Sequence, residues 1–211
     1  MSLLIATPCY GGMVTTHHMK SCLELRQELT LGGVPHDWDL AWNESLVQRA
    51  RNNMASRFLK TDWKKLLFID ADIEFHAEDV AKLWNMDLPV AVGLYTMKRK
   101  DEPLSAWRNG ELVDLSKCPD SPFEVDYAGT GFFMVDRSVF EKMKEKWPER
   151  THEEGHGESF LWFDPRLSDD KTFYMSEDYA FCQDWRSMGG KIIADPSIKL
   201  IHHGSFGYGS L

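Results

Sequence analysis

Residues 66–72 read Leu66-Leu67-Phe68-Ile69-Asp70-Ala71-Asp72. Four consecutive apolar residues form a strand buried on both faces. Residues two apart in an extended chain point to the same side, so Asp70 and Asp72 emerge together where the strand leaves the core. Like charges a few ångströms apart repel. A hard divalent cation, Mg²⁺ or Mn²⁺, would relieve that repulsion and could carry phosphate oxygens with it. The plain alternative is a pair of solvated acids in the loop after a strand.

The chain on either side of this stretch alternates between periods. Leu3 to Ala6 is a short apolar strand that runs into the turn-forming loop Thr7-Pro8-Cys9-Tyr10-Gly11-Gly12. Thr15 or Thr16 can cap a helix with Met19, Cys22, Leu23, Arg26 and Leu29 on its stripe, ended by Gly32-Gly33. Asp37 to Trp42 alternates as a strand. Asn43 or Ser45 then opens a helix with Leu46, Ala50, Met54 and Phe58 on its buried face. After the acidic pair, Ala77 to Trp84 reads as a helix and Val90 to Tyr95 as another buried strand. Strand and helix in turn predict an α/β fold with a mixed, mainly parallel, Rossmann-like sheet flanked by helices. Ligands of such sheets bind beyond the carboxyl ends of the strands, where both the Thr7 loop and the Asp70/Asp72 pair fall.

The second half is less regular. Asn109-Gly110 marks a hairpin turn. Val125 to Val135 is strand-rich and broken by Gly129 and Gly131, and Ser138 to Trp147 is a helix stopped by Pro148. Thr151 to Asp170, with His152, Glu153, Glu154, His156 and Glu158, reads as a polar mobile loop with some metal-binding character. A helix over Glu177 to Met188 ends at Gly189-Gly190, followed by strands at Lys191 to Ala194 and Ile198 to His202. The last residues, Gly204 to Leu211, read as a flexible tail or as a cut inside a longer protein.

Composition bounds the function. With 211 residues the chain can bury a sizeable core. No apolar stretch approaches the ~20 residues that span a bilayer, and the N-terminus lacks the basic region of a signal peptide, so a cytoplasmic location is expected (host cytoplasm for a viral protein). A net charge of −9 argues against a nucleic-acid partner, which needs a basic surface. Cys9, Cys22, Cys118 and Cys182 lack zinc-like spacing and read as free thiols. Among the tryptophans, Trp107, Trp162 and Trp185 lie near loop-like sequence and could present aromatic faces to a sugar; core packing is the alternative for each.

Three features occur in a telling order: a loop after the first strand, the apolar-Asp-x-Asp strand end, and Ser176-Glu177-Asp178-Tyr179-Ala180-Phe181-Cys182, followed by His202-His203-Gly204. This order resembles the GT-A glycosyltransferases, nucleotide-sugar-dependent enzymes with a DxD metal motif, over nearly the whole chain. The sequence also resembles the N-terminal glycosyltransferase domain of a chlorovirus (large algal virus) multidomain protein, which implies a module with further domains beside it. The resemblance implies one GT-A domain over 1–211, with a nucleotide-binding half (1–95) and an acceptor and catalytic half (96–211). It implies a UDP-sugar donor, a glycan or glycoprotein acceptor, and Mn²⁺ or Mg²⁺ as cofactor.

Residue by residue, the resemblance places Thr7, Pro8 and Tyr10 at base and ribose and Arg51 and Asn52 near the nucleotide. Asp70, Ala71 and Asp72 fall at the ribose and metal, and Gly129 and Gly131 where backbone approaches donor or acceptor. Asp72 is implied as metal ligand with Asp70 on the ion or its water shell. His202, or alternatively His203, would be the ligand from the last strand. Asp178 is implied as the base of an inverting transfer, with Glu177 beside it. The chain departs from the family's pattern in having little sequence after His203 to form a closing loop.

The chemistry is consistent without the resemblance. A departing diphosphate needs its charge neutralised, and an attacking hydroxyl needs a base. Solvated acids at a helix N-terminus are the alternative for Glu177 and Asp178, and a core histidine is the alternative for His202. Three other functions compete. A haloacid dehalogenase-type phosphohydrolase places its Asp-x-Asp near the start of the domain, with Thr or Val four residues after the first Asp, where this chain has Glu74. A sugar-nucleotide nucleotidyltransferase shows a basic Gly-rich loop after its first strand, and Thr7 to Gly12 has no basic residue. A noncatalytic carbohydrate-binding module needs neither acidic motif.

Overall fold

The computed structural model describes residues 2–98, 103–155, 157–204 and 207–209. The first half alternates as the sequence predicts: β1 (Leu3–Cys9), α1 (Thr16–Leu31), β2 (His36–Trp42), α2 (Val47–Leu59), β3 (Lys65–Ile69), a short β4 (Ile73–Glu74), α3 (Ala77–Asn85) and β5 (Val90–Gly93). The hairpin β6 (Ala106–Arg108) and β7 (Glu111–Leu112) turns at Asn109-Gly110, with φ of 54° and 79°. Only Asn and Gly accept that paired left-handed geometry readily. Then come β8 (Phe123–Val125), β9 (Tyr127–Ala128), β10 (Phe132–Asp136), α4 (Arg137–Lys146), β11 (Thr151–Glu154), β12 (Gly157–Phe160), β13 (Arg166–Leu167), β14 (Tyr174–Met175), α5 (Glu177–Ser187), β15 (Ile192–Asp195), β16 (Ile201–His203) and β17 (Gly207–Gly209).

Seven strands form the central sheet in the order β2-β1-β3-β10-β5-β15-β8. β2, β1 and β3 run parallel, as do β5 and β15; β10 is antiparallel between β3 and β5, and β8 is antiparallel at the edge. β3 is buried on both faces, and its alternation divides the core. Leu66 and Phe68 join Met54, Phe58, Phe140 and Phe181 on one face; Leu67 and Ile69 join Leu25, Val80 and Leu83 on the other. Each such side chain contributes about 1.5–3 kcal/mol by leaving water. The free thiols follow expectation: none is in a disulfide. No described helix is long and apolar enough to cross a membrane.

Four local readings need correction. The α1 stripe is rotated: His18, Ser21 and Leu25 are buried while Met19 and Leu23 are exposed. The inward residues are polar because they serve the backbone around β4. His18 Nδ1 lies 3.1 Å from the Ile73 carbonyl, and Ser21 Oγ accepts the Phe75 N–H at 3.1 Å. Helix α2 starts only at Val47, because the chain turns at Asn43 with φ 60°. The stretch from Thr151 is no loose loop; it is the β11–β12 hairpin, which ends on the core residue Phe160 and is followed by Trp162 and Phe163 in the core, with His156 outside the described residues. Finally, part of the supposed tail is strand: β17 pairs antiparallel with β16. Ser205, Phe206, Ser210 and Leu211 lie outside the described residues.

Two of the three tryptophans singled out for a sugar are core. Trp162 donates to the Phe140 carbonyl at 3.1 Å and Trp185 to the Lys191 carbonyl at 3.1 Å, and both are buried. Trp107 is half-buried and donates to the Tyr179 hydroxyl at 3.1 Å.

Candidate active site

The parallel strands β1 and β3 end side by side, and a cleft of about 470 Å³ opens beyond them. Its walls include Pro8, Tyr10, Arg51, Asp70, Ala71, Asp72 and His202. Backbone bonds hold the acidic turn. The Asp70 N–H donates to the Gly131 carbonyl (3.0 Å), the Thr15 N–H to the Ala71 carbonyl (2.9 Å) and the His203 N–H to the Asp72 carbonyl (2.8 Å). The antiparallel pairing of β16 with β4 sets His202 opposite Ile73. Successive residues of a strand face opposite sides. His202 therefore turns to Asp72, with Nε2 3.4 Å from Oδ1, and His203 turns away, to Glu74 at 2.6 Å.

The His202 ring is oriented by its other nitrogen, which lies 3.0 Å from the Thr96 carbonyl. A carbonyl only accepts, so the Nδ1 facing it carries a proton, and Nε2 is the nitrogen turned to the Asp72 carboxylate. That contact is satisfied by an N–H on Nε2 when no metal is bound, or by a cation held between the two groups. An imidazole steered by a backbone carbonyl is also how ligating histidines are commonly held. Asp72 and His202 thus fit a divalent ion. Burial works against the Asp72 charge, but the hydrogen bonds and charges of His202 and Lys98 outweigh it and hold its pKa at about 2. Lys98 Nζ sits 2.5 Å from Asp72 Oδ2. Sequence reasoning missed Lys98; the basic run Lys98-Arg99-Lys100 directly after a buried strand was the available signal.

Deeper in, Arg51 on α2 is only 4% exposed. It reaches Asp70 at 3.0 Å and Glu177 at 3.5 Å, so it ties the end of β3 to the start of α5. Its Nη1 is buried with no hydrogen-bond partner among the described residues. Asp178 follows Glu177 on the first turn of α5. Its Oδ1 accepts from the Ser176 hydroxyl and from the Tyr179 N–H at 2.8 Å. Burial, then the neighbouring Glu177 charge, pushes the Asp178 pKa up to about 6, against the pull of Ser176 and Arg51.

Other residues singled out by the resemblance face elsewhere. Thr7 is fully buried within β1. The Asn52 amide is spent on the core: it donates to the Phe163 carbonyl at 3.2 Å and accepts the Phe163 N–H at 2.8 Å. Gly129 and Gly131 make room for Tyr95, since an added Cβ would lie 2.3 Å and 2.8 Å from its hydroxyl oxygen. That oxygen accepts the Gly131 N–H at 3.1 Å, and the Tyr95 ring meets His202 edge-on at 5.2 Å between centroids. Tyr95 was another residue that sequence reasoning missed, because a tyrosine after a buried strand carries no distinctive signal.

No family model and no curated protein matches the chain. Solved structures do. A197 from STIV aligns over 97% of this chain and 86% of its own, with TM-score 0.60 and 20% identity. GalNAc-T7, in a structure with UDP, GalNAc and Mn²⁺, aligns over 96% of this chain with TM-score 0.51 and 12% identity; the match spans 44% of its length. A glycosyltransferase involved in glycosylation of the PBCV-1 major capsid aligns over 70% of this chain and 66% of its own, with TM-score 0.41 and 10% identity. That last likeness is too distant to support the chlorovirus resemblance. What A197 and GalNAc-T7 share with this chain is architecture: a mixed α/β sheet of the GT-A-like fold.

Proposed function

We propose that this protein is a metal-dependent glycosyltransferase. It would move a sugar from a nucleoside-diphosphate sugar, UDP-linked, to a hydroxyl of a glycan or glycoprotein, with inversion by direct displacement. In this reading residues 1–211 form one GT-A domain, 1–95 holding the donor and 96–211 the acceptor and base. The observation that carries it is convergence: Asp70, Asp72 and His202 line the cleft where β1 and β3 end, and Arg51 in the same wall pairs with Asp70 and reaches Glu177, the neighbour of Asp178 at the start of α5. The GalNAc-T7 structure, with UDP, GalNAc and Mn²⁺ in a related fold, is consistent with this reading.

Asp72 and His202 would hold Mn²⁺ or Mg²⁺, with Asp70 on the ion's water shell or the donor ribose. When bound, such an ion neutralises charge on the departing diphosphate. Pro8 and the exposed Tyr10 form the wall that a base would lie against. Arg51 holds Asp70 and Glu177 in place. The two hydrogen bonds to Asp178 fall on Oδ1, which leaves Oδ2 to take the proton of the acceptor hydroxyl. The acceptor oxygen then bonds to the anomeric carbon as the bond to the diphosphate oxygen breaks. A base with a pKa of about 6 is ionised at neutral pH yet strong enough to share a proton in the transition state. The short Lys98–Asp72 contact favours a second reading, in which Lys98 replaces the ion and the transfer is metal-independent.

The deciding test is incubation with a panel of nucleotide sugars in Mn²⁺ or in EDTA, followed by assay of free nucleoside diphosphate. Release that needs Mn²⁺ and is lost in Asp72→Ala is expected. Release undiminished by EDTA supports the Lys98 reading, and no release from any nucleotide sugar overturns both.

A further inference from the structure

On the side of β16 away from the cleft, His203, Glu74 and His17 meet. One ligand atom from each lies within 4.8 Å of the others. His203 Nε2 is 2.6 Å from Glu74 Oε2, and the His17 ring stacks on His203 with centroids 3.9 Å apart. Three backbone segments contribute: the first turn of α1, β4 and β16. We propose that these residues form a second metal site, distinct from the Asp72–His202 pair, that takes a late transition ion of the zinc class.

The ligand set argues for the class. Two imidazoles and one carboxylate suit Zn²⁺ and its neighbours, whereas Mg²⁺ and Ca²⁺ prefer all-oxygen sites. Three protein ligands leave a fourth position for water. Glu74 and His203 are half-buried and held by strand pairing, Ile201 to Glu74 and His202 to Ile73. They form the fixed part of the site.

His17 supplies the moving part. An ion lies in the plane of each imidazole that binds it, and two nearly parallel rings 3.9 Å apart cannot both contain the same ion. His17 must turn its ring, which its exposed position on α1 permits. Bond lengths of about 2.0–2.2 Å then draw the three segments together. The ion would brace β16, whose His202 faces the cleft, against α1, whose capping residue Thr15 donates its N–H to the Ala71 carbonyl.

The test uses the full chain, stripped of metal, with the first site removed by Asp72→Asn and His202→Ala together. Zn²⁺ is titrated by calorimetry, and Co²⁺ by its visible absorption. One equivalent of Zn²⁺ is expected, bound without competition from millimolar Mg²⁺, and with Co²⁺ d–d bands. Adding His17→Ala or His203→Ala should weaken Zn²⁺ binding by at least about tenfold, since even second-shell losses cost 10–100-fold. His17 is exposed, so its variant should melt like its metal-free parent and decides the matter if His203→Ala unfolds. No Zn²⁺ binding in the double variant overturns the proposal, as does binding that His17→Ala leaves unchanged. Either failure leaves the donor-site reading intact, because that reading is scored by nucleotide-sugar turnover.

Discussion

Asp178→Asn should cost activity and raise stability, and the gain should depend on pH. In the folded chain the Asp178 carboxyl is pushed from an ordinary 3.8 to about 6, by burial and then by the Glu177 charge. The folded state therefore holds a proton between those values that the unfolded chain releases. Wild-type stability falls as pH rises from about 3.8 through 6 and is level above that, because ionising Asp178 is harder in the fold. The full shift corresponds to at most about 3 kcal/mol, and water at this half-buried group reduces it to about 1–2 kcal/mol. Asparagine keeps an oxygen for the Ser176 hydroxyl and the Tyr179 N–H and carries no charge. Urea denaturation followed by tryptophan fluorescence should show no gain for Asp178→Asn at pH 4, a growing gain across pH 4–6 and a plateau above pH 6. If Asp178 is the base, turnover should fall by about 10²–10⁴ with little change in donor affinity. A variant destabilised at pH 7, or a gain equal at pH 4 and pH 7, would refute the electrostatic reasoning; normal turnover would refute the role.

Calorimetry should find UDP binding tighter with Mn²⁺ than with EDTA, and Asp72→Ala should erase the difference while the metal-free melting temperature stays near wild type. Mn²⁺ with UDP at about 100 times its dissociation constant should stabilise the fold by roughly 2.7 kcal/mol, seen as an upward shift of the melting transition; no shift with any nucleoside diphosphate points to another ligand class. Lys98→Met separates the two readings of the short ion pair: if Lys98 only competes for Asp72, Mn²⁺ affinity rises, and if it replaces the ion, donor binding is lost. Proton NMR of the product should show an anomeric configuration opposite to the donor's, and retention would exclude a single base acting through direct displacement.

The sheet was legible because period and burial agree along its strands. Leu66 to Ile69 reads as a strand buried on both faces and Asn109-Gly110 as a hairpin turn, and both are found. The α1 stripe was misread for a physical reason. Its inward residues, His18 and Ser21, are polar groups that serve backbone atoms of Ile73 and Phe75, so hydrophobicity pointed to the wrong face. The resemblance put Asn52 near the nucleotide with Arg51, whereas its amide completes the backbone of Phe163. Choosing between His202 and His203 required the β4–β16 register, which joins positions more than a hundred residues apart and leaves no trace in local sequence. Tyr95 and the Thr96 carbonyl stayed hidden for the same reason: each acts on a residue distant in the chain.

These long-range ties also account for how the acids tolerate one another. Arg51 is a buried cation facing Asp70 and Glu177, with Asp178 close enough for its charge to be felt. One positive charge among three carboxylates leaves a negative excess in and behind the Arg51–Asp70 part of the cleft wall. A nucleoside diphosphate would bring further negative charge against that wall, so its approach calls for a cation at the rim. The rim residues meet that need in two ways: Asp72 and His202 offer ligand atoms, and Lys98 offers a charge of its own. Two of the three guanidinium nitrogens of Arg51 are already committed to Asp70 and Glu177. Burial first, and then the Glu177 charge from this same group of acids, raises the pKa of Asp178 towards neutrality. In the proposed function, base strength thus comes from burial reinforced by the crowded acids, and a substitution that relieves the acids, such as Asp178→Asn, gives up the base to do so.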